Sequence, residues 1–304
     1  TARAHTTADA DAGSGAEAAA QTPPAARPAP APRNPEVKAL VDRVLQDFPL
    51  EVQPTLLEGV RRLMDYQDPA YAASYLARVQ AIRQLGVNDG HRLLEACARH
   101  LALWMSYEDT ARVAALKTRA TRFERVRGEA GVQQDQLVAI HEYMHPRLQE
   151  ICETLPGALG RWLMNSGAPR RLVERLTQKG RVIRTSSLHG YLMLRCVASA
   201  RRWRRSTTRF ADENARIEQW LARIAQTAAF NPALALEIAQ CQRLVKGYSD
   251  THERGVRNYE LLMEAALRAG QALAPATLRE LRDAALADEH GEQLRAKLAQ
   301  YALG

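Results

Sequence analysis

The residues with a catalytic spacing are two histidines and a glutamate in the hexapeptide HEYMHP, residues 141–146. Two histidines four residues apart on one helix face can bind a single Zn²⁺, and a glutamate beside the first can act as general base on a zinc-bound water. His141 and His145 would be the ligands and Glu142 the base. A zinc-dependent hydrolase is therefore one interpretation of the chain.

The proline that follows His145 argues against this geometry. A residue before proline is disfavoured in the helical region, so a helix usually ends there. The extended zinc-protease motif would also need a glycine and a histidine where Leu148 and Ile151 stand. The sequence thus favours a helix that ends near His145 and a new helix that Pro146 opens. We predict no metal site and keep the zinc interpretation as an alternative.

A second candidate is the basic stretch over residues 168–209. It contains twelve Lys or Arg and one acid, so its formal charge is +11, whereas the whole chain carries +8 and the remainder therefore −3. Such a local excess is typical of a surface for an acidic partner, a phosphate group or nucleic acid. Arginine can bind such groups through its planar fork, or can instead cover apolar surface and pair with acidic helices. The candidate partner- or anion-binding residues are Arg201, Arg202, Trp203, Arg204 and Arg205.

A third candidate is the segment KGYSDTH, residues 246–252. Asp250 and His252 could orient a ligand whose negative charge Lys246 meets, with Tyr248 beside them. Ordinary helix capping is the competing interpretation, with the lysine at a helix C-terminus, the glycine after it, and Asp250 as the N-cap of the next helix.

Helices must position all three candidates, because apolar residues recur at three- and four-residue steps from residue 36 onward. We predict an all-α domain over residues 36–304, with roughly ten to thirteen helices and short connections. Residues 181–185 are the part that could be extended.

Several helix starts are marked in the sequence. Ser106 with Asp109 resembles a capping box that opens one long helix. Asn231, followed by a proline, is predicted to cap another helix. Asp212 and Glu213 are expected in the favourable first turn of a third.

Residues 1–35 differ in composition from the rest. They contain thirteen Ala and six Pro but no Leu, Ile, Val or Phe. Such a segment cannot bury enough apolar surface to offset its ordering entropy, so we predict a disordered linker or tail. Because the chain starts without Met, we expect it to be a piece of a longer protein.

The remaining features point to a cytoplasmic protein that is not catalytic by itself. No run of eighteen apolar residues and no signal peptide is present, so no membrane partner is expected. No nucleophile elbow, P-loop or dinucleotide fingerprint occurs. Four cysteines without a paired spacing are predicted to be buried free thiols: Cys97, Cys152, Cys196 and Cys241.

Four long stretches carry a family resemblance. They are LMDYQDPAYAASYLARV at 63–79, MSYEDTARVAALKTRATRFERVRGE at 105–129, HPRLQEICETLPGAL at 145–159 and CQRLVKGYSDTHERG at 241–255. Together they resemble the C-terminal region of bacterial indolepyruvate ferredoxin oxidoreductase beta subunits, within the 2-oxoacid:acceptor oxidoreductase superfamily.

The resemblance implies a heteromeric enzyme. A large alpha subunit would carry thiamine diphosphate, Mg²⁺ and iron–sulfur clusters, convert an aryl 2-oxoacid such as indolepyruvate to the aryl-acetyl-CoA, and pass electrons to ferredoxin. The beta subunit would add a Rossmann-like domain, which is absent here, followed by this helical region. The chain is then expected to bind no cofactor itself, to join the subunits and to shape the active site. The basic stretch would face an acidic surface or the phosphates of the co-substrate CoA.

Two other functions stay open at this point. One is the zinc hydrolase with His141, Glu142 and His145. The other is a helical nucleic-acid-binding module that uses residues 201–205, although the scarcity of aromatic residues beyond Trp203 counts against it and no nucleic-acid partner is expected.

Overall fold

The computed structural model describes residues 34–129, 131, 139–144, 147–177 and 181–303. Over these ranges the chain forms fifteen α-helices, three 3₁₀ segments and a two-stranded antiparallel sheet. The prediction of an all-α fold is confirmed. The disordered linker predicted over residues 1–35 lies almost wholly outside the described residues, and the first helix begins at Pro35.

The elements follow one another in short steps. The first seven helices are α1 (Pro35–Asp47), α2 (Gln53–Tyr66), α3 (Pro69–Arg83), α4 (Arg92–Met105), α5 (Thr110–Lys117), α6 (Ala120–Glu129) and α7 (Leu148–Thr154). The other eight are α8 (Gly157–Asn165), α9 (Gly167–Thr177), α10 (Leu188–Ala198), α11 (Thr208–Ala228), α12 (Pro232–Gln240), α13 (Ser249–Ala269), α14 (Pro275–Ala287) and α15 (Glu292–Gln300). The strands are β1 (His141–Met144) and β2 (Arg181–Arg184), and the 3₁₀ segments are Ser199–Ser206, Cys241–Leu244 and Gly270–Ala272.

The long helix predicted from Ser106 is two shorter helices. Asp109, not Ser106, caps α5, because its carboxylate accepts a hydrogen bond from the backbone N–H of Arg112 at 2.6 Å. The chain leaves the helical conformation at Thr118 and re-enters it at Ala120. This split adds one helix, and the fifteen helices of the described ranges exceed the ten to thirteen predicted.

Two other local predictions are confirmed. The side chain of Asn231 accepts a hydrogen bond from the backbone N–H of Leu234 at 3.0 Å and caps α12. The extended piece predicted over residues 181–185 is β2, which pairs with β1 so that Glu142 lies opposite Ile183.

The main hydrophobic core lies between the early helices and the C-terminal helices. Its centre is aromatic: the ring centroids of Trp104 on α4 and Trp220 on α11 are 5.6 Å apart, and both rings are buried. Tyr259 on α13 packs edge-on against Trp104 with 5.4 Å between centroids. Tilted and edge-on pairs are the favoured geometries for aromatic rings, so these contacts hold the two parts of the chain in a defined arrangement.

The segment between them has only a small core of its own. Its buried apolar cluster consists of Ala114 on α5 with Leu194 and Ala198 on α10. Polar contacts must therefore contribute much of what fastens this segment to the main core.

Three of the four cysteines are buried as predicted, but Cys196 on α10 is exposed, because it lies on the side of that helix away from Leu194 and the small core. Among the residues that the structure describes, no helix combines the length and the apolar character needed to cross a lipid bilayer.

The contact between α13 and the 3₁₀ segment Cys241–Leu244 gives a test of this packing. A Cβ added at Gly255 would lie 2.2 Å from the carbonyl oxygen of Leu244. Since backbone cannot move aside as a flexible side chain can, we expect Gly255→Ala to lower the free energy of unfolding by about 1–3 kcal/mol. Chemical denaturation measures this change.

Gly128→Ala is the matched control, because a Cβ there meets nothing within 4 Å and alanine is the better helix former. We expect the control to be neutral or slightly stabilising. Equal effects of the two substitutions would show that α13 does not approach the 3₁₀ segment as closely as described.

Candidate functional site

The first four residues of the HEYMHP motif, His141–Met144, form a strand rather than a helix. His141 and Glu142 are consecutive residues of β1, and consecutive side chains of a strand point to opposite faces, so His141 is exposed and Glu142 buried. The helical zinc-ligand geometry is therefore wrong, as is the helix end predicted there. His145 lies outside the described residues. Within the described ranges, no three His, Cys, Asp or Glu residues are grouped so that they could hold a metal ion.

Glu142 instead fastens the sheet to the helices. Its carboxylate accepts a hydrogen bond from Lys117 Nζ at 2.6 Å and another from Arg122. Burial would raise the pKa of Glu142, but the hydrogen bond and charge of Lys117, with those of Arg122, outweigh it and lower the pKa. A carboxylate held ionised between two cations is a weak general base.

Arg204, at the centre of the basic stretch, is turned into the protein. Its side chain is 2% exposed, and its guanidinium meets the carboxylate of Asp109 through contacts of 2.5 and 3.1 Å. The guanidinium also lies over the ring of Tyr66, 4.0 Å from the centroid, and donates to the Tyr66 carbonyl at 2.8 Å. We call these three residues the Arg204 clamp. It joins the 3₁₀ segment Ser199–Ser206 to α2 and to the start of α5.

The neighbours of Arg204 fall into two groups. Arg205 pairs with Asp68 at 2.8 Å, and the indole N–H of Trp203 donates to a backbone carbonyl on α7 at 2.9 Å. Arg201 and Arg202 are exposed and form no ion pair with any residue in the described ranges. The structure thus gives the five candidates different environments: Arg204 is buried, Trp203 and Arg205 are exposed but hold partners in the fold, and the other two face solvent without an ion pair in the described ranges. Their role in binding a partner or an anion stays a prediction.

Arg201 and Arg202 lie in the segment that follows α10, and one face of α10 exposes apolar side chains. Leu188, Leu192 and Arg195 recur at i, i+4 and i+7 on α10 and are all exposed, with the two leucines 75% and 54% exposed. Arg195 likewise lacks an ion pair with the residues that the structure describes. We call Leu188, Leu192, Arg195, Arg201 and Arg202 the α10 surface. It combines apolar area with three positive charges.

The predicted site at residues 246–252 is divided between two pockets. Lys246 and His252 line one pocket, whereas Tyr248 and Asp250 line the other. The chain turns sharply between the two pairs of residues, because Gly247 and Ser249 adopt positive φ angles of 75° and 55°. The structure thus does not bring the four candidate residues together around one ligand.

Asp250 is not an N-cap. It lies in the first turn of α13, and its carboxylate pairs with the guanidinium of Arg147, which also contacts Glu253 at 3.4 Å. The N-cap position belongs to Tyr248, whose side chain makes no capping hydrogen bond. The capping interpretation fails for Asp250. It also fails for Lys246 as a residue of a helix C-terminus, because α12 ends at Gln240 and the 3₁₀ segment after it ends at Leu244.

The pocket lined by Tyr248 and Asp250, which we call the acidic pocket, has a volume of about 440 Å³ between α5, α7 and the start of α13. Its lining includes five carboxylates and two arginines. Most of these charges meet one another: Arg147 pairs with Asp250, and Arg209 with Glu153 at 3.3 Å. Both arginines of the acidic pocket are thus paired, and its five carboxylates against two arginines leave a formal charge of −3.

The pocket lined by Lys246 and His252, which we call the basic pocket, has a volume of about 370 Å³ between α2, α4 and the turn before α13. Arg62, Arg243 and Lys246 supply its positive charges, and Glu108, which also lines the acidic pocket, is its one carboxylate. The apolar part of its lining consists of Leu103, Trp104, Tyr107, Val245 and Leu286.

Comparison with known proteins places the chain in a family. The model of DUF6537, a family of unknown function, matches residues 52–265. The chain belongs to this family. The matched DUF6537 region contains the Arg204 clamp, the α10 surface and the acidic pocket, and all of the basic pocket except Leu286. No curated protein and no solved structure matches the sequence.

Glu213 links the two pockets within the DUF6537 region. Its fully buried carboxylate accepts a hydrogen bond from the indole of Trp104 at 2.9 Å. It also lies 2.8 Å from Nε of Arg209 in the acidic pocket and 3.2 Å from Nε2 of His252 in the basic pocket. Burial would raise the pKa of Glu213, but His252, Arg209 and Trp104 together lower it to about 2.

Sequence reasoning missed three of these residues. The prediction that Glu213 lies in the first turn of a helix is wrong, because α11 begins at Thr208 and Glu213 falls in its second turn, where it is buried. Arg62 and Arg243 carry no local signal, because the pocket that gives them a shared environment is formed by elements far apart in the sequence.

The low pKa of Glu213 predicts a pH dependence of stability. A carboxyl whose pKa falls from 4.5 to about 2 on folding stabilises the fold by about 3 kcal/mol above pH 4.5, and this contribution is lost as the pH falls toward 2. We expect Glu213→Gln to be less stable than the wild type at pH 7 by about that amount. The difference should shrink by about 2 kcal/mol between pH 6 and pH 3 in urea unfolding curves.

Glu218→Gln is the control on the same helix, since Glu218 is 58% exposed in its pair with Arg78 and such pairs contribute about 1 kcal/mol or less. A wild-type minus Glu213→Gln difference that stays constant over this pH range would show that Glu213 is not the ionised hub of the network.

Proposed function

We propose that this chain is the helical assembly domain of the beta subunit of an aryl 2-oxoacid oxidoreductase. In this proposal a large alpha subunit holds thiamine diphosphate, Mg²⁺ and iron–sulfur clusters, makes the aryl-acetyl-CoA in the cytoplasm, and passes electrons to ferredoxin or a similar acceptor. The chain itself binds none of these cofactors. The four stretches of resemblance support the enzyme class, and the α10 surface supports the assembly role.

The α10 surface is the observation that carries the assembly role. Contiguous exposed apolar side chains rimmed by charge are typical of interaction sites rather than of free monomer surfaces. Leu188 and Leu192 give the apolar part, and the three arginines give a rim in which no charge is paired within the described residues. Arginine is enriched in protein interfaces, where its stem packs on apolar area and its fork pairs with carboxylates. The matching partner surface is apolar at its centre and acidic at its rim.

The position of α10 suits this role because the helix is anchored on its other side. Leu194 and Ala198 pack on α5, and the Arg204 clamp fixes the segment that follows α10. The outward side chains are therefore presented on a backbone that is already ordered, which lowers the conformational entropy lost on binding. The reaction takes place on the partner subunit, and this domain holds that subunit in place.

Charge reversal at Arg201 and Arg202 tests the proposal. We expect the double variant Arg201→Glu/Arg202→Glu to bind the large subunit with an association rate about tenfold lower at low salt, because like charges then oppose the acidic rim. The difference should largely disappear at about 0.5 M salt, where charges are screened over a few ångströms. Surface plasmon resonance with the purified alpha subunit gives both rates.

Arg92→Glu/Arg99→Glu is the matched control, because it makes the same charge change at exposed arginines of α4, outside the α10 surface. Association rates that fall equally in both double variants would point to non-specific electrostatics, and unchanged rates in the Arg201/Arg202 variant would remove the proposed docking role. Arg204 is left intact in these variants because its charge is buried in the fold.

A further inference from the structure

The basic pocket holds positive charge that the fold does not neutralise. Arg62, Arg243 and Lys246 line it and form no ion pair with any residue that the structure describes. His252, also in the lining, is engaged with Glu213. Glu108 is the only carboxylate in the lining, so three positive charges against one negative leave a formal charge of +2. A concave site with such an excess attracts a small anion.

Arg62 is the cation that this excess affects most. It is half-buried on α2, and its Nε donates to the hydroxyl of Ser106 rather than to a carboxylate. That hydroxyl is held in turn, because it donates to the carbonyl of Ala102 at 2.8 Å. Burial, together with the charge of Arg112, lowers the pKa of Arg62 below its usual value. A bound anion would relieve this cost of a partly desolvated, uncompensated charge.

Part of the lining is an apolar wall. Trp104 and Tyr107 are 1% and 7% exposed and belong to the main core. Leu103 and Leu286 complete an apolar surface that faces the pocket. A volume of about 370 Å³ is within the usual range of small-molecule sites, which combine an apolar lining with a few convergent polar groups. The arrangement suits a ligand that has an apolar body and a charged end.

Hydrogen bonds also hold the turn that carries Arg243 and Lys246. Oε1 of Gln242 accepts a hydrogen bond from His100 Nδ1 at 3.1 Å, and Nε2 of Gln242 donates to the carbonyl of Val245 at 3.2 Å. Gly247, with φ of 75°, then turns the chain directly after Lys246. The backbone that positions Arg243 and Lys246 is thus ordered before any ligand arrives, which favours binding.

We propose that the basic pocket binds a small phosphorylated compound, with the phosphate between Arg62, Arg243 and Lys246 and the organic body against the apolar wall. A phosphate monoester carries close to two negative charges at neutral pH, which matches the formal charge of +2. Arginine and lysine donate strong, charge-assisted hydrogen bonds to phosphate oxygens. The site shares no residue with the α10 surface, so this inference goes beyond the assembly role and does not depend on it.

Phenyl phosphate is the probe, titrated into the full 304-residue chain by isothermal calorimetry at low salt. We expect a dissociation constant of about 1 mM or tighter, and binding about tenfold weaker for phenylacetate, which has the same ring but one charge. The double variant Arg243→Gln/Lys246→Gln changes only exposed side chains and should weaken phenyl phosphate binding by at least about tenfold. The variant Arg257→Gln/Arg295→Gln loses the same charge outside the pocket and should bind within about twofold of the wild type.

Three outcomes would overturn the proposal. The first is no detectable binding of phenyl phosphate by the wild type. The second is an equal loss of affinity in both double variants, which would mean attraction to the net charge of the chain rather than to the pocket. The third is phenylacetate binding as tight as phenyl phosphate, which would remove the assignment of a dianionic end.

Discussion

The buried ion pair of the Arg204 clamp is the interaction on which the middle of this protein depends. A guanidinium that is 2% exposed requires a counter-charge, and Asp109 supplies it while Tyr66 covers the planar face. Removing either charged partner would leave the other buried and uncompensated, which is more costly than the loss of the contact itself. Because the segment around α10 has only three small or medium apolar residues in its core, this polar anchor takes the place of a larger hydrophobic contact.

The Arg204 clamp also fixes which neighbouring side chains line a pocket or face solvent. Asp109 both caps α5 and holds Arg204, so the start of α5 is fixed at the wall of the acidic pocket. Its neighbour Glu108 lines both pockets. Arg204 is turned inward, whereas Arg201 and Arg202, in the segment that follows α10, face solvent. One arginine-rich sequence therefore contains an internal anchor and, in the proposed function, part of a surface for a partner. The buried carboxylate of Glu213 contacts a residue from each pocket, Arg209 and His252.

Local patterns were sufficient for the class of fold and for several element boundaries, because helix periodicity and the cap at Asn231 depend on neighbours a few residues away. They were insufficient where a residue's role comes from a distant partner. Arg204 and Asp109 are 95 residues apart, and Arg62 and its acceptor Ser106 are 44 apart, so no short window shows that one arginine is anchored and the other is without a carboxylate. The HEYMHP motif failed for a related reason. The β conformation of its first four residues depends on pairing with β2, which lies beyond α7, α8 and α9 in the sequence.

The central claim, that this DUF6537 chain is the docking domain of a larger oxidoreductase, is tested most directly by gentle affinity purification of the tagged, full-length gene product from its own host. Mass spectrometry and metal analysis of the eluate are the readouts. The account predicts a brown complex in which a large thiamine- and iron–sulfur-binding subunit is present in a fixed ratio to this chain. A colourless preparation of the chain alone, without such a subunit and without iron, would contradict it.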